Sequence, residues 1–318
     1  MRSTRIAILD DYPGVALGMA DWPSLTGCEV AVFRDHLADV DALAARLAEF
    51  EIVVIMRERT PFGRALLERL PRLKLLVTTG MRNASVDLAA AKDRGVVVCG
   101  TPGLGYPTAE LTWGLILSLM RRIPAEDRAI REGKWQTTIG LGLNGKTLGV
   151  LGLGNLGSRV AKIGLAFEME ILAWSRNLTP ERAREAGAQL VSKDELLARA
   201  NVVTIHLVLS DRTRGLVGAR ELGLMKPSAH LVNTSRGPLV DRDAVVAALR
   251  DSRLAGYGVD VYAEEPLPAD DPLRTAPNVV MTPHLGYVTE ETYRRFFGGA
   301  LEDVAAYRNG RPIRVLDP

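Results

Sequence analysis

The chain has 318 residues, of which 47% are hydrophobic and 25% are charged, a composition typical of a folded protein of about two domains that excludes a largely disordered chain. Its 40 basic and 38 acidic residues give a formal charge of +2 without long runs of one sign, so we expect no nucleic acid or anionic membrane surface as a partner. The most apolar run, residues 111–120, is shorter than the roughly 20 residues of a membrane span, and we predict a buried helix there.

Two features of the sequence indicate the cellular compartment in which the protein is located. The cysteines, Cys28 and Cys99, stand alone without the spacing of a metal site. The N-terminal residues lead directly into a predicted strand and contain no signal-peptide core. We therefore expect no metal ion and a reducing, cytoplasmic location.

Residues 1–100 alternate between predicted strands and helices. Strands are predicted at residues 5–9, 29–33, 52–56, 73–77 and 96–98, and helices at residues 39–50, 62–70 and 86–94. This alternation predicts a small doubly wound domain with a parallel sheet. Ligands of such sheets bind beyond the carboxyl ends of the strands, where residues 56–60 and 79–82 bring arginines and a glycine turn together. An anion such as a carboxylate is the expected ligand there.

Residues 100–107 contain two prolines and three glycines, which neither a helix nor a strand can accommodate, so we predict a hinge. Thr108 is predicted to cap the next helix, which runs to residues 121–122. A last helix, from Glu290 through Tyr307, is predicted to return to the first domain. The predicted domains are residues 1–103 with 289–318 for the substrate, and residues 104–288 for a dinucleotide.

The stretch from Lys146 to Asn177 is predicted to form a strand, a glycine turn, a helix and a second strand. The turn has the pattern G-x-G-x-x-G, in which Gly152 permits a tight turn, Gly154 lets a pyrophosphate approach and Gly157 lets the helix pack on the strand. The helix, predicted from residue 158 to about residue 167, would direct its unsatisfied N–H groups at a phosphate. This context predicts a dinucleotide cofactor.

The second strand, residues 170–174, ends in Ser175 and Arg176 instead of an acidic residue. A carboxylate at this place would bind the ribose hydroxyls and repel a 2′-phosphate, whereas a guanidinium can pair with the phosphate. We therefore predict that NADP(H) is preferred, with NAD(H) possible. The alternative is that Arg176 extends into solvent or stacks on the adenine.

Further strands, predicted at residues 202–207, 231–234, 257–261 and 279–282, complete one open sheet, and two histidines near their ends compete for an acid–base role. Reduction of a ketone needs a proton donor, and histidine, with an unperturbed pKa of about 6.5, can supply one near neutral pH. His284 is the predicted donor, whereas the apolar neighbours of His206 favour a position that faces the cofactor. His36 and His230 have no candidate partner nearby in the sequence and are interpreted as ordinary surface or core residues.

A carboxylate beside His284 would orient the ring and favour its protonated form. Glu265 is the predicted partner because the proline that follows it anchors its backbone, and Glu264 is the alternative. Arg236 presents a guanidinium that can bind a substrate carboxylate through two hydrogen bonds and polarise the reacting carbonyl.

These motifs, in this order, resemble those of the D-isomer-specific 2-hydroxyacid dehydrogenase family, which includes phosphoglycerate, formate, glyoxylate and hydroxypyruvate enzymes. The resemblance covers nearly the whole chain and rests on residues 145–149, 225–227, 232–237, 260–262, 265–268 and 282–284. It implies an α/β fold of two doubly wound, Rossmann-like domains with parallel sheets and an active site in the cleft between them. It also implies an oxidoreductase that interconverts a 2-keto acid and a D-2-hydroxy acid by hydride transfer.

The resemblance further implies roles for individual residues. It implies a catalytic trio of Arg236, Glu265 and His284. Around the cofactor it implies Asn155, Leu156, Thr234 and Ser235, with Asp260 near the nicotinamide carboxamide. For the substrate it implies the backbone of Thr79, Gly80 and Met81, together with Arg57. Arg57 and Arg59 resemble the basic pair of phosphoglycerate enzymes.

The family is typically dimeric through its nucleotide-binding domain, which implies a homodimer contact around residues 121–143. The chain departs from the family pattern at Ser175 and Arg176, and at Tyr287, where small residues are common. The competing interpretation is a non-catalytic, nucleotide-sensing protein like the corepressors that share this fold. The intact trio favours the enzyme.

Overall fold

The computed structural model describes residues 3–318. Two units are distinguished by their internal contacts: one runs up to Leu104 and also contains Thr289–Pro318, and the other is Gly105–Val288. Each unit is built on one sheet whose strands are all parallel.

The strands, in chain order, are β1 (Thr4–Ile8), β2 (Cys28–Val32), β3 (Ile52–Ile55), β4 (Leu75–Thr78), β5 (Val97–Gly100), β6 (Thr147–Leu151), β7 (Glu170–Trp174), β8 (Gln189–Leu190), β9 (Val202–Ile205), β10 (His230–Asn233), β11 (Gly256–Val259) and β12 (Val279–Met281). The helices are α1 (Ala16–Met19), α2 (Val40–Leu47), α3 (Arg64–Leu67), α4 (Leu88–Asp93), α5 (Pro107–Met120), α6 (Ile123–Arg131), α7 (Asn155–Ala166), α8 (Pro180–Glu185), α9 (Lys193–Arg199), α10 (Ala219–Leu224), α11 (Arg242–Arg250) and α12 (Glu290–Arg308). Short 3₁₀ helices lie at Trp22–Ser24, Gly237–Leu239 and Pro272–Thr275.

The first unit has a five-stranded sheet in the order β2-β1-β3-β4-β5. Strands β3 and β4 are fully buried, as strands covered on both faces must be, and their apolar residues form the core with helices α2, α3 and α4. The last helix, α12, starts after Thr289, whose side chain accepts a hydrogen bond from the amide of Thr292, and it packs against α1, β4 and β5.

The second unit has a seven-stranded sheet in the order β12-β11-β10-β9-β6-β7-β8. Alternate residues of one strand serve the two faces: Leu148 and Val150 pack against α5 and α7, whereas Leu151 packs on the side of α9 and α11. The direction of winding reverses between β6 and β9, and ligands of doubly wound sheets bind at such a reversal. The prediction of doubly wound parallel sheets is therefore confirmed.

Some local predictions were wrong. Thr108 does not cap α5: the helix starts at Pro107 after Tyr106 with no side-chain cap, and the Thr108 hydroxyl instead donates to the carbonyl of Gly286 at 2.9 Å. Proline at the first helical position has no N–H to leave unsatisfied, and its fixed φ suits the start of a helix. Helix α7 begins at Asn155, before the predicted residue 158, and α3 has only four residues.

Two kinds of feature are absent from residues 3–318. No helix is long and apolar enough to cross a membrane. No group of three or more His, Cys, Asp or Glu side chains could hold a metal ion.

Candidate active site

The glycine turn after β6 is shaped for a close backbone approach. Gly152 has a φ of +101°, and a Cβ on it would lie 2.5 Å from the carbonyl oxygen of His206. A Cβ on Gly157 would lie 2.0 Å from the carbonyl oxygen of Gly152, so α7 packs against the turn as closely as a backbone allows. A Cβ on Gly154 would meet nothing within 4 Å, which leaves open space in front of the helix.

The N-terminus of α7 is available to a phosphate. Gly154 occupies the N-cap position, and no side chain caps the helix. The first-turn amides of Asn155, Leu156 and Gly157 therefore carry the unsatisfied N–H groups and the positive end of the helix dipole. The turn and helix match the pyrophosphate of a dinucleotide.

The end of β7 presents an unpaired cation. Ser175 is half-buried, and its carbonyl accepts a hydrogen bond from the amide of Leu178 at 3.2 Å. Arg176 is exposed and has no ion-pair or hydrogen-bond partner among residues 3–318. Its guanidinium is thus available where a ribose would be expected.

Two histidines of this unit are poor acid–base candidates. Burial lowers the pKa of His206 to about 4; its Nε2 lies 2.9 Å from the Thr204 hydroxyl, and its buried Nδ1 has no hydrogen-bond partner in residues 3–318. Burial also lowers the pKa of His230 to about 4, and its Nδ1 is likewise unpartnered within that range; the side chain is buried, so His230 is a core residue. Both rings are neutral at physiological pH.

The loop after β10 is held by Asn233, which the sequence analysis did not single out. Its side-chain oxygen accepts from the Ser235 amide at 3.0 Å, and its nitrogen donates to the Arg236 carbonyl at 2.9 Å. An asparagine two residues before a serine is a common start for such a turn, and this signal could have identified it. The loop therefore holds the backbone of Arg236 in one conformation.

The predicted cofactor residues of this loop also have structural contacts. The Ser235 hydroxyl donates to the carbonyl of Ile205 at 2.8 Å. The buried Thr234 hydroxyl lies 2.8 Å from the hydroxyl of Thr112 in α5. The Arg236 guanidinium donates to the Ser235 carbonyl at 2.7 Å.

The Arg236 loop packs on the segment that leads to Glu265. A Cβ on Gly237 would lie 2.1 Å from the carbonyl carbon of Tyr262, so only glycine permits this approach. The Tyr262 amide donates to Glu265 Oε1 at 2.8 Å. The other carboxylate oxygen, Oε2, accepts from His284 Nδ1 at 2.6 Å, whereas Glu264 is exposed.

His284 lies in a turn that Asp260 holds. Its φ is +54°, in the left-handed region that non-glycine residues rarely occupy. The buried Asp260 carboxylate accepts from the Thr282 hydroxyl at 2.6 Å, the Leu285 amide at 2.7 Å and the Gly286 amide at 2.9 Å. Burial raises the pKa of Asp260, and these hydrogen bonds act in the opposite direction. Asp260 therefore secures the backbone on both sides of His284.

Tyr287 lies beside the histidine. Its ring centroid is 5.4 Å from that of His284, with an interplanar angle of 70°. The two rings therefore pack edge to face.

The predicted carboxylate site lies in the first unit. Gly80 has a φ of +92°, and a Cβ on it would lie 1.8 Å from Arg57 Nη1, so the guanidinium rests directly on the glycine. The Thr79 amide donates to a carbonyl of β3, and the Gly80 amide donates to the hydroxyl of Thr101 at 3.1 Å. Within residues 3–318 the Met81 amide has no acceptor.

The chain matches a family model across more than half its length. Residues 113–286 match the model for the D-isomer specific 2-hydroxyacid dehydrogenase, NAD binding domain. The chain belongs to this family. It is 42% identical to the glyoxylate reductase of Aeropyrum pernix over 256 residues, which cover 77% of this chain and 76% of the relative.

Solved structures agree with this membership. The crystal structure of a phosphoglycerate oxidoreductase from Vibrio cholerae o395 has a TM-score of 0.92 and 40% identity, covering 96% of this chain and 99% of that one. The D-lactate dehydrogenase of Aquifex aeolicus, solved in complex with NAD and lactic acid, has a TM-score of 0.79 and 26% identity, covering 96% of each chain.

The family consists of nicotinamide-dependent oxidoreductases that act on pairs of keto and hydroxy acids. The predicted family, the two Rossmann-like sheets and the enzyme class are confirmed. Nothing in these comparisons supports the non-catalytic alternative.

Proposed function

We propose that the protein reduces a small 2-keto acid to the D-2-hydroxy acid, and catalyses the reverse reaction, with His284, Glu265 and Arg236 as its catalytic residues. The observation that carries this assignment is the 2.6 Å hydrogen bond between His284 Nδ1 and Glu265 Oε2. A carboxylate in this position fixes the orientation of the ring. It leaves Nε2 as the nitrogen that can exchange a proton with substrate.

Each group has one task in the proposed reaction. A bound nicotinamide would supply the hydride or accept it. His284 gives its Nε2 proton to the oxygen of the reduced carbonyl and takes one back in the oxidative direction. Arg236 binds the substrate carboxylate and stabilises the negative charge that develops on the carbonyl oxygen.

The first unit supplies the proposed carboxylate site. Arg57, whose guanidinium rests on Gly80, contributes positive charge, and the Met81 amide contributes a hydrogen-bond donor. These donors suit a substrate carboxylate, because a planar guanidinium can bind one through two hydrogen bonds.

A panel of substrates tests the proposed function through the absorbance of the reduced nicotinamide. Glyoxylate and hydroxypyruvate are offered with reduced cofactor, and D-lactate and D-3-phosphoglycerate with oxidised cofactor. L-lactate is the matched control for stereochemistry and should not react. Tight cofactor binding without turnover of any substrate would contradict the proposal and favour a nucleotide sensor.

We further propose a preference for NADPH over NADH, based on the unpaired Arg176 at the end of β7. Arg176→Ala should weaken NADPH binding about ten- to a hundredfold and barely change NADH binding, because a charge-assisted hydrogen bond contributes roughly 1.5–3 kcal/mol. Fluorescence titration of both cofactors measures the effect.

The matched variant is Ser175→Asp, which introduces a carboxylate at the same site. It should bind the ribose hydroxyls, repel the 2′-phosphate and turn the preference toward NADH. Added salt should narrow the wild-type preference because an exposed pair is screened. Equal or tighter NADH binding by the wild type would reject the proposed preference.

We propose a homodimer that forms through the nucleotide-binding unit. The segment of residues 121–143 exposes several large apolar side chains: Ile123, Ile130, Trp135, Ile139 and Leu141. Trp135 is 77% exposed and Ile139 is 94% exposed. A second copy of the chain would cover this apolar surface.

Ile139→Asp should therefore shift the protein toward monomers in sedimentation velocity, because a buried carboxylate opposes association. Leu17→Asp, at a residue that is 56% exposed on α1, is the matched control and should leave the assembly unchanged. A monomeric wild type would contradict the proposed dimer.

We also propose that the protein works in the cytoplasm. Cys28 and Cys99 are free thiols, in keeping with a reducing compartment. Burial raises the pKa of Cys99 to about 12, which keeps this thiol protonated and unreactive.

A further inference from the structure

A second histidine–carboxylate pair lies in the first unit, beyond the ends of β1 and β2. His36 Nδ1 donates to Asp10 Oδ1 at 3.0 Å, and the two side chains are only 12% and 1% exposed. Asp10 has a φ of +56°, a backbone conformation that surrounding contacts must hold in place. The pair joins segments that are 26 residues apart in the sequence, so residues near His36 in the sequence could not indicate this partner.

Asp10 also binds the turn that follows β3. The Thr60 hydroxyl donates to Asp10 Oδ2 at 2.6 Å, and Arg59 Nη1 donates to the Asp10 carbonyl at 2.8 Å. Arg59 lies over the ring of Tyr12 at 4.7 Å, so it points toward the segment after β1. One end of the turn is thereby attached to Asp10.

The other end of this turn carries Arg57. Its φ is +53°, its amide donates to the Thr79 hydroxyl at 2.8 Å, and its carbonyl accepts from the Asn83 side chain at 2.6 Å. Residues 56–60 are therefore held at one end by Asp10 and at the other by the loop around Gly80. The guanidinium of Arg57 rests on that loop, and its position depends on both attachments.

We propose that His36 and Asp10 are positioning residues for substrate binding: their ion pair braces the turn that carries Arg57 and thereby sets the affinity for the substrate carboxylate. The inference rests on the proposed role of Arg57. His36 and Asp10 act through Arg57, so their effect should appear in KM for the keto acid and leave kcat unchanged.

The charges around His36 give the direction of the pH dependence. His36 is faced by Asp10 after β1, by its neighbour Asp35, which pairs with Arg46 of α2, and by Arg59 of the turn. The hydrogen bond to Asp10 raises the pKa of His36, and burial and Arg59 oppose this. The ion pair between His36 and Asp10 is therefore fully formed when the pH is below the ordinary histidine pKa of about 6.5. It is lost as the pH rises through the raised pKa of His36.

The test compares KM and kcat of the wild type and His36→Gln from about pH 6 to about pH 9. The glutamine amide still donates to Asp10 but carries no charge. We expect the wild-type KM for the keto acid to rise about three- to tenfold with pH and the variant KM to stay high at every pH, with the kcat of the variant equal to that of the wild type at each pH. Lys74→Gln, an exposed lysine whose partner is Glu51, is the control and should keep the wild-type profile.

Thr60→Val provides a second route should His36→Gln not fold. It keeps the shape of the side chain, removes the donor to Asp10 Oδ2, and should raise KM severalfold while kcat stays constant. A wild-type KM profile in a folded variant, with normal turnover, would overturn the positioning role alone. Failure of the wild type to turn over any keto acid would overturn the proposed function and this inference with it.

Discussion

Replacing His284 by alanine should lower the turnover number for keto acid reduction by about 10²–10⁴-fold, the usual contribution of a positioned general acid. Its Nδ1 is committed to Glu265 at 2.6 Å, so Nε2 is the donor that the substrate loses. Cofactor affinity should change little, because the glycine turn and α7 are untouched. Steady-state kinetics with a separate cofactor titration measures both quantities.

The matched control is His206→Ala, which removes the other histidine at a strand end of this unit. Burial keeps the His206 ring neutral, so its loss should leave proton transfer intact. If His206→Ala lost turnover and His284→Ala kept it, His206 would replace His284 as the proposed proton donor.

Arg236→Lys should lower kcat/KM by about 10²-fold or more and leave cofactor binding nearly unchanged. Lysine keeps the positive charge but loses the planar fork that binds a carboxylate through two hydrogen bonds. The backbone cannot shift to compensate, because Asn233 holds the loop on both sides of Ser235. Kinetics at saturating cofactor separate this loss from any change in cofactor affinity.

Arg242→Lys is the matched control for this substitution. Arg242 belongs to the same segment but pairs with Asp243 and Asp271 at 2.9 and 3.0 Å. The change there should leave kcat/KM within about twofold, because lysine keeps the positive charge beside both carboxylates. Wild-type kinetics in Arg236→Lys would remove Arg236 from the proposed site.

The fold could be predicted because its signals are local. Buried parallel strands appear as short apolar runs, and the glycine turn at residues 152–157 is contiguous in the sequence, so neighbouring residues alone were informative. Even the errors, such as the cap assigned to Thr108, concern one helical turn. Residue type and order were also enough to choose His284, Glu265 and Arg236 as candidates.

What the sequence could not provide were contacts between distant segments. It left Glu264 and Glu265 as alternatives, because consecutive residues differ in direction only once the backbone is known. It did not reveal that Asp260 binds the turn around His284, since the two segments meet only across the sheet edge. The pair of His36 and Asp10 was missed for the same reason.

The left-handed backbone conformation of His284 lowers the stability of the protein at a residue that is proposed to be catalytic. A residue in that conformation costs of order 1–3 kcal/mol, which the hydrogen bonds to Asp260 must offset. Glycine at this position would relieve the cost and remove the proposed proton donor in the same step. Selection for thermal stability alone would therefore favour a more stable variant that has lost activity. Turnover must be measured alongside stability when variants of this protein are selected.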